Sequence, residues 1–219
     1  MSRLVDVSHE IDPGMLTYPG LPGPVVSDFL SREASRGKYA EGTTFAIARV
    51  DMVANTGTYV DAPIHRFAGG RDVGSLPLGR LADLDGVVVD ATRAGRAIGA
   101  GLFDGVEIAG RAVIVRTGWS RLWGTPAYFE GHPFLTRTAA ERLVRAGPSL
   151  VGIDSLNIDD TQDGERPAHT LLLEAEIPIV EHLTNLEALP AHGFRFHCVP
   201  APFHGVGSFP VRAYAILGS

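Results

Sequence analysis

The chain has 219 residues, 45% hydrophobic and 20% charged, enough apolar material for one packed domain and too little length for two of ordinary size. Nineteen basic against 25 acidic side chains leave a formal charge of −6, so no diffuse positive field exists to hold nucleic acid or an anionic membrane, and neither is expected as a partner. The single cysteine, Cys198, makes no intrachain disulfide and no thiolate metal site, which fits a reducing compartment.

In chain order, the opening places Asp6, Glu10 and Asp12 where a secretory signal needs an apolar core, and no apolar run approaches the length of a membrane span. A cytoplasmic protein is expected. Tyr18-Pro19-Gly20 and Pro22-Gly23-Pro24 predict an extended, turn-rich loop crossing the surface near something. The alternation over 43–53 reads as a strand. The β-branched runs at 86–90, 112–116 and 149–154 predict strands buried on both faces. Between the last two, 136–145 predicts a helix capped by Thr136 or Thr138 and stopped by Gly147-Pro148. Segments 194–199 and 211–217 read as further strands around a loop at 200–210. Helix followed by buried strand indicates an α/β arrangement in one domain, residues 1–219.

The densest polar constellation runs from Asn55 to His65. If 55–61 is extended, Asn55, Gly57, Tyr59 and Asp61 share one face, and Pro63 turns the chain so that His65 comes back toward Asp61. An ordinary polar edge strand is the alternative reading. A second pair lies further on. Pro167 suits the first turn of a helix and places His169 in that turn, where the positive end of the dipole favours the neutral imidazole that ligates metal or accepts a proton. The run Ile177 to Val180 then delivers Glu181 at a strand end. Taken singly, each also reads as a capping histidine and a solvated glutamate. Trp119 and Trp123 offer walls for an aromatic substrate, or core packing. His204 lies in the glycine-flexible Phe203-His204-Gly205-Val206-Gly207, a segment able to approach a site. His9, His132, His182, His192 and His197 are expected at the surface or filling the core. There is no nucleophile elbow, phosphate loop or cysteine zinc motif.

These segments resemble the cyclase family of metal-dependent hydrolases, which includes bacterial kynurenine formamidase and isatin hydrolase. The family's hallmark His-x-Gly-Thr-His-x-Asp-x-Pro-x-His is matched at Gly57, Thr58, Asp61, Pro63 and His65, and departed from at Asn55 and Tyr59. The resemblance continues through Val5-Asp6-Val7-Ser8, Arg116-Thr117-Gly118-Trp119, Gly152-Ile153-Asp154, His169 with Leu171-Leu172, Glu181 with Asn185-Leu186, and Phe209 to Ala213. It implies the kynurenine formamidase-like α/β fold with its swivelling β/β/α arrangement, and a homodimer or homotetramer. It also implies hydrolysis of a small amide, formamide or lactone through a metal-activated water.

By the same resemblance, Asp61, His169 and Glu181 are metal ligands and His65 transfers the proton; if no metal binds, Tyr59 is the candidate acid. The resemblance also puts Tyr18 on the substrate pocket, and Asn55, Trp119 and His204, read from the residues alone, are candidates to face the substrate. Asn55 is a weak neutral donor and a Tyr59 phenol, with an ordinary pKa near ~10, is a poor ligand. The expectation is therefore one divalent ion, zinc or manganese, or none, in place of two. The alternative function is a metal-free or catalytically altered member that binds a small cyclic or aromatic ligand.

Overall fold

The β-branched runs form the parallel centre of one large sheet, because segments apolar on every position are stable only where both faces are covered. The computed structural model describes residues 2–218. Its strands are β1 (Arg3–Asp6), β2 (Val25–Leu30), β3 (Ile47–Asp51), β4 (Tyr59–Asp61), β5 (Leu84–Asp90), β6 (Ala97–Ile98), β7 (Ala112–Arg116), β8 (Phe134–Leu135), β9 (Leu150–Ile153), β10 (Ile179–Glu181), β11 (His192–His197), β12 (Ser208–Pro210) and β13 (Tyr214–Leu217). The helices are α1 (Arg32–Ser35), α2 (Arg137–Ala146) and α3 (Pro167–Glu174). Nine strands share one sheet in the order β1-β13-β11-β5-β7-β9-β10-β4-β12. β5, β7, β9 and β10 run parallel, and the strands on either flank are antiparallel to their neighbours.

Alternation along the strands divides the interior in two. In β7, Ala112 and Ile114 join one cluster with Val5, Val60, Phe196 and Ala215 from the flanks, so the flanks curl over a common face. A bridge between Ser8 and Leu183 ties the chain after β1 to the chain after β10. Val113 and Val115 point to the other face, where Ala139, Ala140 and Leu143 of α2 and Leu172 of α3 cover them. Each such aliphatic side chain contributes about 1.5–3 kcal/mol on burial. The predicted α2 forms as read, with the Thr136 hydroxyl accepting from the Ala139 amide and Gly147 left-handed at the C-cap.

Three expectations change. Only residues 47–51 of the 43–53 run are a strand, and it pairs with β2 in a separate two-stranded arm, away from the main sheet. Gly57 is left-handed (φ +64°), so 55–61 is no continuous strand and extension begins at Tyr59. The loop predicted at 200–210 ends in strand β12, paired to β4, and the last strand starts at Tyr214 instead of 211.

Candidate active site

β4 is three residues long and fixes the site by its two neighbours. Val60 points into the core, so Tyr59 and Asp61 share the opposite face. The register sets Glu181 of β10 beside Tyr59, and Ser208 of β12 beside Asp61. Past Asp61, Pro63 opens a single turn of 3₁₀ helix that ends at His65. That turn packs so closely on Gly207 that a Cβ there would meet the His65 Cα at 2.8 Å. From the helix layer, α3 begins at Pro167 and carries His169 in its first turn, as the sequence predicts.

Asp159 holds that turn. Its carboxylate accepts from the amides of Ala168 (2.6 Å) and His169 (2.9 Å) and from the His169 ring at Nδ1 (2.7 Å). With its proton on Nδ1, the ring turns Nε2 inward, 3.7 Å from Asp61 Oδ2 and 3.7 Å from Glu181 Oε1. Burial alone would hold the His169 pKa down, but the hydrogen bond to Asp159 and the nearby carboxylates of Asp61 and Glu181 outweigh it and raise it. The helix dipole, which alone favours the neutral ring, is the weaker influence here. By themselves the surrounding carboxylates of Asp159, Asp61 and Glu181 oppose the neutral form that the helix dipole favours.

Glu181 is buried and pinned by three donors: the Ile158 amide on Oε1 (2.6 Å), and the Tyr59 hydroxyl (2.6 Å) and Asn157 amide (3.3 Å) on Oε2. Burial and the Asp61 charge raise its pKa against the opposing pull of His169. Burial and then the Glu181 charge push the Tyr59 pKa well above the ordinary phenol value, so the ring stays a phenol that donates to Glu181.

The Asp61 carboxylate is divided. Oδ1 accepts a short hydrogen bond from the Ser208 hydroxyl. That oxygen in turn lies 3.0 Å from His65 Nδ1, and because its own proton goes to Asp61 it accepts from the ring. His65 is 37% exposed, so this chain of bonds leaves Nε2 as its free nitrogen. Asp61 Oδ2 is buried with no hydrogen-bond partner, and a bare buried carboxylate oxygen is costly unless a cation or donor meets it. Asp61, His65 and His169 can bring one donor atom each within 4.8 Å of one another.

His65, His169 and Glu181 floor a cleft of about 360 Å³ whose walls include Tyr18, Leu21, Asn55, Arg66 and Arg166, with buried Asp61 beside His169. Tyr18 is anchored there by its hydroxyl on the Leu156 carbonyl (2.9 Å). Behind Tyr59, buried His182 packs against Tyr18, Tyr59, Trp123 and Tyr128.

The structure therefore brings together Tyr18, Asn55, Tyr59, Asp61, His65, His169 and Glu181 as read from the sequence. Two expectations fail. His204 is 85% exposed beside Asp72; the flexible segment does reach the site, but through Gly207 and Ser208. Trp119 is not on the cleft wall, its indole N–H being spent on the Tyr128 carbonyl (2.9 Å). Asn157, Asp159, Ser208, Arg66 and Arg166 were missed. A polar run just past buried β9 was the available signal for Asn157 and Asp159; Ser208 had none, since its neighbour is 147 residues away.

Comparison with known proteins gives a consistent relationship over the whole chain. A family model described as "Putative cyclase" matches residues 5–160. A kynurenine formamidase of Geobacillus thermodenitrificans (strain NG80-2) is 25% identical over 221 residues, which span 97% of each chain. A solved structure described as a potential metal-dependent hydrolase with cyclase activity superposes with a TM-score of 0.82 at 25% identity, covering 100% of both chains. Isatin hydrolase A from Labrenzia aggregata superposes with a TM-score of 0.84 at 22% identity, over 100% of this chain and 94% of that one. The α/β architecture expected from the sequence is the fold of these structures.

Proposed function

Since the chain belongs to the cyclase family, we propose that it hydrolyses a small amide, formamide or lactone in the cleft floored by His65, His169 and Glu181, beside buried Asp61. The observation that carries this reading is the hydrogen-bonded line from His65 through Ser208 to Asp61, which ends beside an unpartnered carboxylate oxygen. That oxygen and His169 Nε2 are a charged and a neutral-capable donor facing each other, a pair that suits one divalent cation such as zinc or manganese. Asp61 and His169 would hold it, with Glu181 completing the set. Such an ion supplies Lewis acidity to a carbonyl and lowers the pKa of water.

The remaining work falls to this chain's own groups. Asp159 fixes the His169 ring so that one nitrogen faces the floor. Tyr59 and Asn157 orient Glu181. His65, its Nδ1 proton held by Ser208, accepts a proton at Nε2 from the attacking water and returns it to the departing nitrogen or oxygen. The Tyr59 proton is directed at Glu181, so Tyr59 is assigned a positioning role ahead of an acid role. One observation favours the ligand-binding alternative: Tyr59 replaces a hallmark histidine and occupies one Glu181 oxygen, which removes a donor a second ion would need.

The test is hydrolysis of formanilide, isatin and a simple aryl lactone by the wild type and by His65→Ala, with melting temperature and metal content measured alongside. The variant is expected to lose about 10²–10⁴-fold in rate while keeping its fold and its metal. Wild-type turnover in the variant, or no turnover of any amide or lactone by the wild type, would remove the hydrolase reading.

We also propose that the chain assembles with copies of itself, as a dimer or a pair of dimers, through the β2–β3 arm. Val25, Val26, Phe29, Ile47 and Val50 are 58%, 52%, 76%, 47% and 56% exposed, and a two-stranded ribbon open on both faces is marginal in water without a partner. Asp28 and Arg49 lie on adjacent strands of the same arm, so a two-fold copy offers each an opposite charge. A cytoplasmic setting suits the buried thiol Cys198.

A further inference from the structure

The hydrolase reading leaves the upper wall of the cleft unexplained, because that wall carries two guanidinium groups, Arg66 and Arg166. Neither makes an ion pair among the described residues. Arg66 spends Nε on the Thr170 hydroxyl (3.2 Å). Arg166 gives Nη1 to the Asn157 side-chain oxygen (3.0 Å) and Nη2 a long bond to the Thr161 carbonyl (3.5 Å). By contrast, Arg71, Arg96, Arg137 and Arg195 elsewhere on the surface each meet a carboxylate at 3.0 Å or less. The Arg166 backbone is left-handed (φ +48°), a conformation non-glycine residues rarely adopt, at the N-terminal end of α3. Asn157 joins wall to floor, accepting from Arg166 and donating to Glu181.

Resting on the hydrolase reading, we propose that the cleft selects an anionic substrate: a small molecule with a carboxylate set apart from its amide or lactone carbonyl. Arg166 and Arg66 hold the carboxylate at the wall. The arrangement also sets direction. The two guanidinium groups attract an anion at the wall, so the ligand sits with its acid group there and its carbonyl toward His65 and His169. Arginine suits this role because its planar fork matches a carboxylate with two parallel N–H donors, and the bond to Asn157 holds the fork in place.

The experiment uses the isosteric pair benzoate and benzamide, titrated calorimetrically into the purified protein at low salt, with ammonia release from benzamide measured in the same samples. Benzoate is expected to bind about tenfold or more tightly than benzamide, the discrimination a hydrogen-bonded charge typically supplies. Arg166→Gln and Arg66→Gln should each erode that ratio, the double variant should bring it to near unity, and Arg166→Lys should keep part of it. Arg66 is exposed, so its single variant stands as the arm least exposed to folding defects. Equal binding of the two ligands, binding of neither, or a benzoate preference that survives the double variant would overturn the proposal; the last would mean that the anion is held at the floor. Hydrolysis of neutral amides is measured separately. A protein that prefers benzoate but hydrolyses nothing keeps the anion site and loses the enzymatic reading, and a protein that hydrolyses neutral amides with no benzoate preference does the reverse.

Discussion

At the scale of single residues, Tyr59 separates this chain from relatives with the full hallmark. Its hydroxyl is 2.6 Å from Glu181 Oε2, and burial keeps it protonated, so it fills with a hydrogen bond the place where an imidazole nitrogen could serve as a donor. Asn55 lines the same cleft. Restoring histidine at both positions, Asn55→His with Tyr59→His, is expected to raise metal uptake above the wild-type stoichiometry, as read by elemental analysis of dialysed protein. Unchanged stoichiometry in a folded double variant would show that the two side chains do not occupy a donor position. The residues that carry this argument were legible in sequence because Asn55, Tyr59, Asp61 and His65 fall within one turn-bearing segment of eleven residues. Gly57 misled the reading: its positive φ breaks the supposed strand, and Asn55 reaches the cleft from a loop. Ser208 and Asp159 escaped because their roles arise from cross-strand register and from helix capping between distant segments.

Among the elements, the packing of the segment after β1 against the turn that carries Trp123 has a consequence for acid stability. The His9 ring stacks on Trp123 with centroids 4.0 Å apart and planes 7° from parallel. Burial lowers its pKa from 6.5 to about 4, and burial likewise lowers that of His182 to about 3. Once unfolded, the chain binds protons at these rings below about pH 6.5, whereas the folded chain refuses them until about pH 4 and pH 3, so stability is lost as pH falls through that window. Denaturant midpoints measured from pH 7 to pH 4.5 should fall, and His9→Gln should flatten the slope; an identical slope in that variant would show that His9 does not control it. The central strands and α2 were readable because buried parallel strands are β-branched throughout and α2 has both cap signals. β4 and β12 were obscure for the opposite reason: at three residues each they carry too little periodicity to announce themselves.

For the whole molecule, the sheet, two helices and one curled face account for the two cores, and the β2–β3 arm stands outside both. Charged substitutions on it, Phe29→Asp with Val50→Asp, are expected to shift the protein to monomers in analytical ultracentrifugation with the main-sheet circular dichroism intact; an unchanged oligomer, or a wild type already monomeric at micromolar concentration, would remove the arm from assembly. The family resemblance made the fold legible across the chain, but the arm's independence was not, since its alternating pattern looks like any half-buried strand and only the structure shows both faces open. In the proposed site, Asp61 and His169 would hold one cation, with Asn55 and Tyr59 standing where the hallmark has donors for a second. Inductively coupled plasma mass spectrometry on protein purified without added metal, compared with His169→Ala, tests it most directly. About one zinc or manganese ion per wild-type chain, lost in the variant, is the predicted result. Two ions retained per chain after dialysis against chelator, or one ion that persists in His169→Ala, would contradict it.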